Sequence, residues 1–145
     1  QDLGFNYRMN EIQASLGITQ LERIKKIVDH RNKIANIYKK YLNNKKIQFQ
    51  KILSKSFSSM HLFIITLEPK QRYKVYFNLQ KKGITTNLHY TPIYRHTFYK
   101  KFNFKKKNFP NSERYFKEAI TIPLFYELKK NKQMQIIKII NKTLN

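Results

Sequence analysis

A chain of 145 residues can bury one real hydrophobic core, and with no cysteine it holds neither a disulfide nor a thiolate metal site. Its formal net charge is +22, from 24 lysines and 6 arginines against 8 acidic residues, which calls for either a polyanionic partner or a compositional bias toward lysine. No apolar run approaches the ~20 residues of a membrane span and no basic-then-apolar start reads as a signal peptide, so no membrane partner and a cytoplasmic location are expected.

The first predicted element is a helix over residues 10–42. Asn10 is a good N-cap, Gln13 stands three residues on in the capping-box position, and Ile12, Leu16, Leu21, Ile24, Val28, Ala35, Tyr38 and Leu42 keep the 3.6-residue period. Gly17 is its weak point, a place for a bend or a close approach. Residues 47–55 are ambiguous and leave room for a short strand. Residues 60–67, Met-His-Leu-Phe-Ile-Ile-Thr-Leu, read as a strand covered on both faces, with Pro69 closing it. Residues 71–82 read as an amphipathic helix with Tyr73, Phe77 and Leu79 toward the core, stopped by Gly83.

A further strand is expected over 84–90, ending just before Pro92, and then a long aromatic and basic loop over 91–108. After it come a short helix over 112–119 capped by Asn111 and a short strand over 120–124. A helix over 133–144 turns Ile136, Ile137, Ile139, Ile140 and Leu144 inward. The alternation predicts an α+β fold, a small sheet covered by helices with a long N-terminal helix. Within the loop, residues 98–107 interleave lysines and aromatics much as a single-strand binder does. The lysines nevertheless run from Lys25 to Lys142, and arginine, the usual base reader, is scarce. Compositional bias is the preferred reading, and no nucleic-acid partner is expected.

The chemistry concentrates in residues 3–16, Leu-Gly-Phe-Asn-Tyr-Arg-Met-Asn-Glu-Ile-Gln-Ala-Ser-Leu. One reading of an amide and a guanidinium just before a helix start is an anion site, because both donate hydrogen bonds where the helix field favours negative charge. On chemistry alone, Arg8 solvating a loop and Asn6 satisfying a turn is the better reading. Tyr7 is expected to pack under the loop.

The stretch resembles the segment that opens the C-terminal part of the DegT/DnrJ/StrS sugar aminotransferases, pyridoxal-phosphate (PLP) enzymes of the aspartate aminotransferase fold. Residues 83–94, Gly-Ile-Thr-Thr-Asn-Leu-His-Tyr-Thr-Pro-Ile-Tyr, resemble that family's strand ending in His-Tyr-x-Pro. Phe109-Pro110-Asn111-Ser112-Glu113 and the run from Ala119 to Leu124 resemble its Phe-Pro-x-Ala-Glu helix and following Leu-Pro strand. The three matches keep the family's order across nearly the whole chain. The Pro-Ile-Tyr variant leans toward the branch that aminates UDP-linked 4-keto-6-deoxy hexosamines in pseudaminic acid synthesis.

The resemblance implies the small C-terminal domain of that fold. Residues 1–45 would be the loop and long helix leading from a large PLP domain, and 46–145 the small α/β domain. It implies a homodimer with sites shared between subunits. Asn6 would reach the PLP phosphate of the neighbouring subunit, with Arg8 beside it. His89 and Tyr90 would line the nucleotide-sugar pocket, and Tyr94 is a further candidate contact to sugar or uracil. In the family, the lysine that carries the cofactor and the acid that protonates its ring nitrogen lie upstream of residue 3. No catalytic residue is therefore assigned, and the chain reads as a C-terminal fragment, inactive alone. The whole enzyme would take an amino group from glutamate to a UDP-linked 4-keto sugar bound for surface polysaccharide or flagellin glycosylation.

Four scattered histidines make no metal site, and three separated glycines build no phosphate loop. Two other readings stand beside this one: a basic nucleic-acid-binding domain using residues 98–107, and a non-catalytic remnant of a truncated gene.

Overall fold

The computed structural model describes residues 4–145; Leu3, which opens the first motif, lies outside the described residues. Helix α1 (Glu11–Tyr41) starts on the expected capping box. The Asn10 side chain accepts from the Gln13 N–H at 2.9 Å, and the Gln13 side chain accepts from the Asn10 N–H at 3.1 Å. The helix continues through Gly17, where an added Cβ would meet nothing within 4 Å, so this glycine serves no close approach among the described residues.

The two halves of α1 have different surroundings. Ile34, Ala35 and Tyr38, with Leu42 just past the end, are in the core. Ile12, Leu16, Leu21 and Ile24 are exposed, contrary to expectation, because none of the described chain lies against them. The period that marks a buried stripe is present, but no surface among the described residues buries it. From Glu11 to Ile27, where burial begins, the helix forms an arm about 24 Å long.

The sheet has three antiparallel strands in the order β1 (Gln48–Phe49), β2 (Phe63–Thr66), β3 (Ala119–Ile122). Phe63 pairs with Ile122 and Thr66 with Ala119, while Gln48 and Phe49 pair with Thr66 and Ile65. Strand β2 is shorter than the apolar run because Met60 sits in the left-handed region at φ 48°, with Ser58 Oγ accepting its N–H.

The expected strand over 84–90 does not form. Only Asn87 joins the sheet, through a two-bond bridge to Thr121 with N···O distances of 2.8 and 3.1 Å. The Asn87 side chain accepts the Leu88 N–H at 2.8 Å, a local bond that competes with a ladder.

Helix α2 (Pro69–Gln80) is capped by Glu68 and buries Val75 and Leu79. Tyr73 and Phe77, expected inside, stack on each other at 6.2 Å on the outer face. Gly83, at φ 68°, closes the helix: its N–H reaches Gln80 O at 2.9 Å and the Ile84 N–H reaches Leu79 O at 3.0 Å, a Schellman ending.

Helix α3 (Pro110–Glu118) starts at Pro110, with Phe109 in the cap position and no side-chain cap bond, so Asn111 is not the cap. Proline's fixed φ suits the first turn and moves the start forward. Helix α4 (Lys130–Leu144) begins three residues earlier than expected and buries Gln133, Ile136, Ile137, Ile140 and Leu144, with Ile139 half-buried against the core.

Helices α2 and α4 pack together, joined by Asn78 Nδ2 donating to Thr143 Oγ1 at 3.0 Å. Hydrogen bonds from buried side chains help to fix α1 to the rest. The Tyr38 hydroxyl donates to Pro123 O at 2.8 Å, and Gln133 Nε2 donates to Ile34 O at 2.7 Å. The Tyr38 ring also stacks on Phe63 at 5.0 Å, and its burial pushes the phenol above its ordinary value.

Candidate functional site

The sequence-predicted site residues fall into two groups that no described contact joins. Asn6 and Arg8 sit at the free end of the arm, both exposed. Asn6 is left-handed at φ 52°, a conformation asparagine tolerates better than most residues, and its carbonyl accepts the Arg8 N–H at 2.7 Å. That tight turn leaves the amide and the guanidinium on the surface just ahead of the helix start. Tyr7 does not pack under the loop. It is 91% exposed and stacks on Phe5 at 5.6 Å.

His89 and Tyr90 lie on the globular part. His89 Nδ1 is 2.8 Å from the Thr121 hydroxyl on β3, and Nε2 is 3.5 Å from Asn87 Nδ2. The His89 carbonyl accepts from the Tyr115 hydroxyl at 3.2 Å. The two ring contacts orient the imidazole from the sheet side. Tyr90 meets its edge at 4.7 Å and points outward, 72% exposed. Tyr90, Pro92, Tyr94, Asn111, Ser112 and Tyr115 line an open cleft of about 550 Å³. Burial raises the Tyr115 phenol above its ordinary value, so it stays a neutral donor at neutral pH.

Tyr94 reaches this cleft, but its hydroxyl is committed inside the chain. It donates to the Glu113 carboxylate on α3, which also receives a two-pronged bond from Arg95: Nε at 2.9 Å to one oxygen and Nη2 to the other. The Arg95 guanidinium lies 4.5 Å over the Phe116 ring, and the Tyr94 ring stacks on Phe109 at 4.5 Å. Hydrogen bonds from Arg95, then from Tyr94, hold the Glu113 carboxyl below the usual glutamate range. Desolvation, then the bond to Glu113, pushes the Tyr94 phenol up. The Tyr94 hydroxyl therefore braces the loop, and the residue also lines the cleft.

Glu113, Arg95, Thr121 and Tyr115 are the participants that sequence reasoning did not assign. Glu113 stood in the third motif, but its partners are 18 and 19 residues away and carry no periodic signal. A second cavity, of about 500 Å³, lies beside β3 among core side chains and takes in none of the expected site residues. Among the described residues no group of three or more His, Cys, Asp or Glu could hold a metal ion.

Residues 1–141 match the DegT/DnrJ/EryC1/StrS aminotransferase family. The chain belongs to this family. It is 34% identical over 131 residues to a UDP-4-amino-4,6-dideoxy-N-acetyl-beta-L-altrosamine transaminase of Campylobacter jejuni, covering 88% of this chain and 35% of the relative. Helicobacter pylori PseC, an aminotransferase in the biosynthesis of pseudoaminic acid, superposes with a TM-score of 0.86 at 28% identity, covering 99% of this chain and 40% of that one. The PLP form of a putative sugar aminotransferase from Streptococcus pneumoniae gives 0.84 at 30% identity, over 95% of this chain and 37% of that one.

This member of the DegT/DnrJ/EryC1/StrS family thus spans a little over a third of the length of the relatives it matches. Its helices and small antiparallel sheet are those of a sugar aminotransferase. Among the described residues no helix is long and apolar enough to cross a membrane.

Proposed function

We propose that the chain is the C-terminal part of a PLP-dependent nucleotide-sugar aminotransferase. The whole enzyme moves an amino group from glutamate to the 4-keto carbon of a UDP-linked 6-deoxy hexosamine, in the cytoplasm, as a homodimer with shared sites. Residues 1–45 are the link from the large domain, and 46–145 are the small domain. The family membership and the similarity to UDP-sugar transaminases support this reading.

One observation carries it: the Asn6–Arg8 corner is presented on an arm clear of its own globule, where only another domain or subunit can use it. The donor set fits the phosphate of PLP. An uncharged amide and a guanidinium fork at the surface, ahead of a helix start, are suited to a dianion. When bound, PLP would supply the electron sink and the carrier for the amino group. On the other face, Thr121 holds the imidazole of His89 in one orientation, and Tyr90 and Tyr115 wall the cleft that would receive the sugar nucleotide.

The test is complementation. The chain is co-expressed with a large-domain segment carrying the cofactor lysine, and PLP absorbance and transaminase turnover are followed. Both should rise above the large domain alone. Asn6→Ala should weaken PLP at least tenfold, the effect of removing a hydrogen bond to a charged group. No gain on adding the chain would overturn the proposal.

A further inference from the structure

Residues 96–108 form a projecting tip in which every residue is exposed. The tip is pinned at its base. Tyr94 and Phe109, on either side of it, stack at 4.5 Å, and both Tyr94 and Arg95 bind Glu113. What is held out there is unusual. Residues 98–107 contain five lysines, three phenylalanines and one tyrosine, and no acidic residue. Lys101 Nζ lies 4.0 Å over the Phe98 ring and 5.2 Å over Phe102, and Phe102 meets Phe104 at 5.9 Å. The rings leave water only partly by covering one another: Phe98 is still 65% exposed and Phe102 53%. A fold that braces an exposed apolar knob ringed with ammonium groups has built an interaction surface.

We propose that this tip docks on an anionic lipid surface, with Phe98 and Phe102 entering the headgroup boundary and Lys100, Lys101, Lys105, Lys106 and Lys107 meeting lipid phosphates. Charge complementarity and ring geometry select this partner. Flexible ammonium groups suit a mobile sheet of phosphates, whereas base readout favours arginine forks. Unmodified phenyl rings have no polar edge to keep wet, so they gain by burial among acyl chains. Stacking with bases needs successive open ring faces. Here Phe98 and Tyr99 meet at 82°, Phe98 and Phe102 at 58°, and Lys101 covers faces of both phenylalanines. A surface contact of this kind needs no spanning helix.

The full 145-residue chain is tested by co-sedimentation with phosphatidylcholine vesicles, with and without one-third phosphatidylglycerol. Binding should require the anionic lipid and fall with salt. Lys100→Gln/Lys101→Gln/Lys105→Gln should weaken it about hundredfold, near fivefold per charge, whereas the same three neutralisations at Lys74, Lys81 and Lys82 should cost far less. Phe98→Ser/Phe102→Ser keeps the charge and should also cost tenfold or more.

The chain has no tryptophan, so Phe98→Trp is a single reporter: its emission should shift to the blue on anionic vesicles, and that of Phe57→Trp should not. Three results would overturn the proposal. Equal losses in the two lysine triples would show diffuse charge only. An unshifted Phe98→Trp emission on bound vesicles would deny ring insertion. A single-stranded oligonucleotide that binds more tightly than the vesicles and depends on the same phenylalanines would assign the tip to nucleic acid.

Discussion

Glu113 is the residue on which the loop between His89 and α3 depends. Its carboxylate joins Tyr94 and Arg95, and together with the Phe109 stack it ties residues 94–95 to the start of α3. Glu113→Gln keeps the size but loses the charge that fixes Arg95. Tryptic cleavage after Lys100 to Lys107 should accelerate about tenfold with only a small fall in the thermal midpoint, since the clamp sits outside the core. An unchanged cleavage rate would show that the Phe109 stack alone holds the loop.

The pH sense follows from the depressed Glu113 carboxyl. A group whose value falls on folding contributes stability above its unfolded value, near 4.3, and loses it as pH drops through the lower folded value. The Arg95 Nε–H resonance should therefore be constant from neutral pH down to about 5 and shift only in stronger acid.

At the scale of elements, the two internal glycines separate by backbone. Gly83 is left-handed in the Schellman ending of α2, whereas Gly17 is helical and faces open space. Gly83→Ala should destabilise by about 1–2 kcal/mol, the strain of a Cβ in that region. Gly17→Ala should raise the helical signal and stabilise by up to about 1 kcal/mol. Denaturant midpoints in urea, with far-UV circular dichroism, measure both; opposite signs are required.

The same elements show what the sequence could carry. The capping box of α1, the apolar run of β2, the glycine stop of α2 and the isoleucine face of α4 were legible because each is a local rule within a few residues. The 84–90 segment misled because its Ile-Thr-Thr composition favours a strand, while one asparagine side chain and a left-handed glycine act against it. Tyr73 and Phe77 misled because apolar character does not say which face of a helix meets the sheet. Of the proposed site residues, His89 and Tyr90 stand in a motif that the sequence shows. Thr121 and Glu113, which orient them and their loop, were not legible, since their partners lie 32 and 18–19 residues away.

The whole molecule is a core with an apolar arm. Ile12, Leu16, Leu21 and Ile24 stay exposed along α1, and an uncovered stripe of that length favours association. Sedimentation should show the isolated chain self-associating at micromolar concentration. Leu16→Gln/Leu21→Gln should shift it toward monomer, and at a dilution where both chains are monomeric their thermal midpoints should agree, because neither side chain touches the core. A fall in midpoint would mean that the stripe is covered within the monomer.

The arm is also a lever. Its packed turns end near Ile27, so a tilt of only five degrees there carries the far end about 2 Å. Hydrogen bonds tolerate a fraction of that displacement. On the proposed reading, Asn6 would hold an anion firmly only once another surface had immobilised the rod, and ligand affinity and assembly would then be two readings of a single equilibrium, each rising with the other.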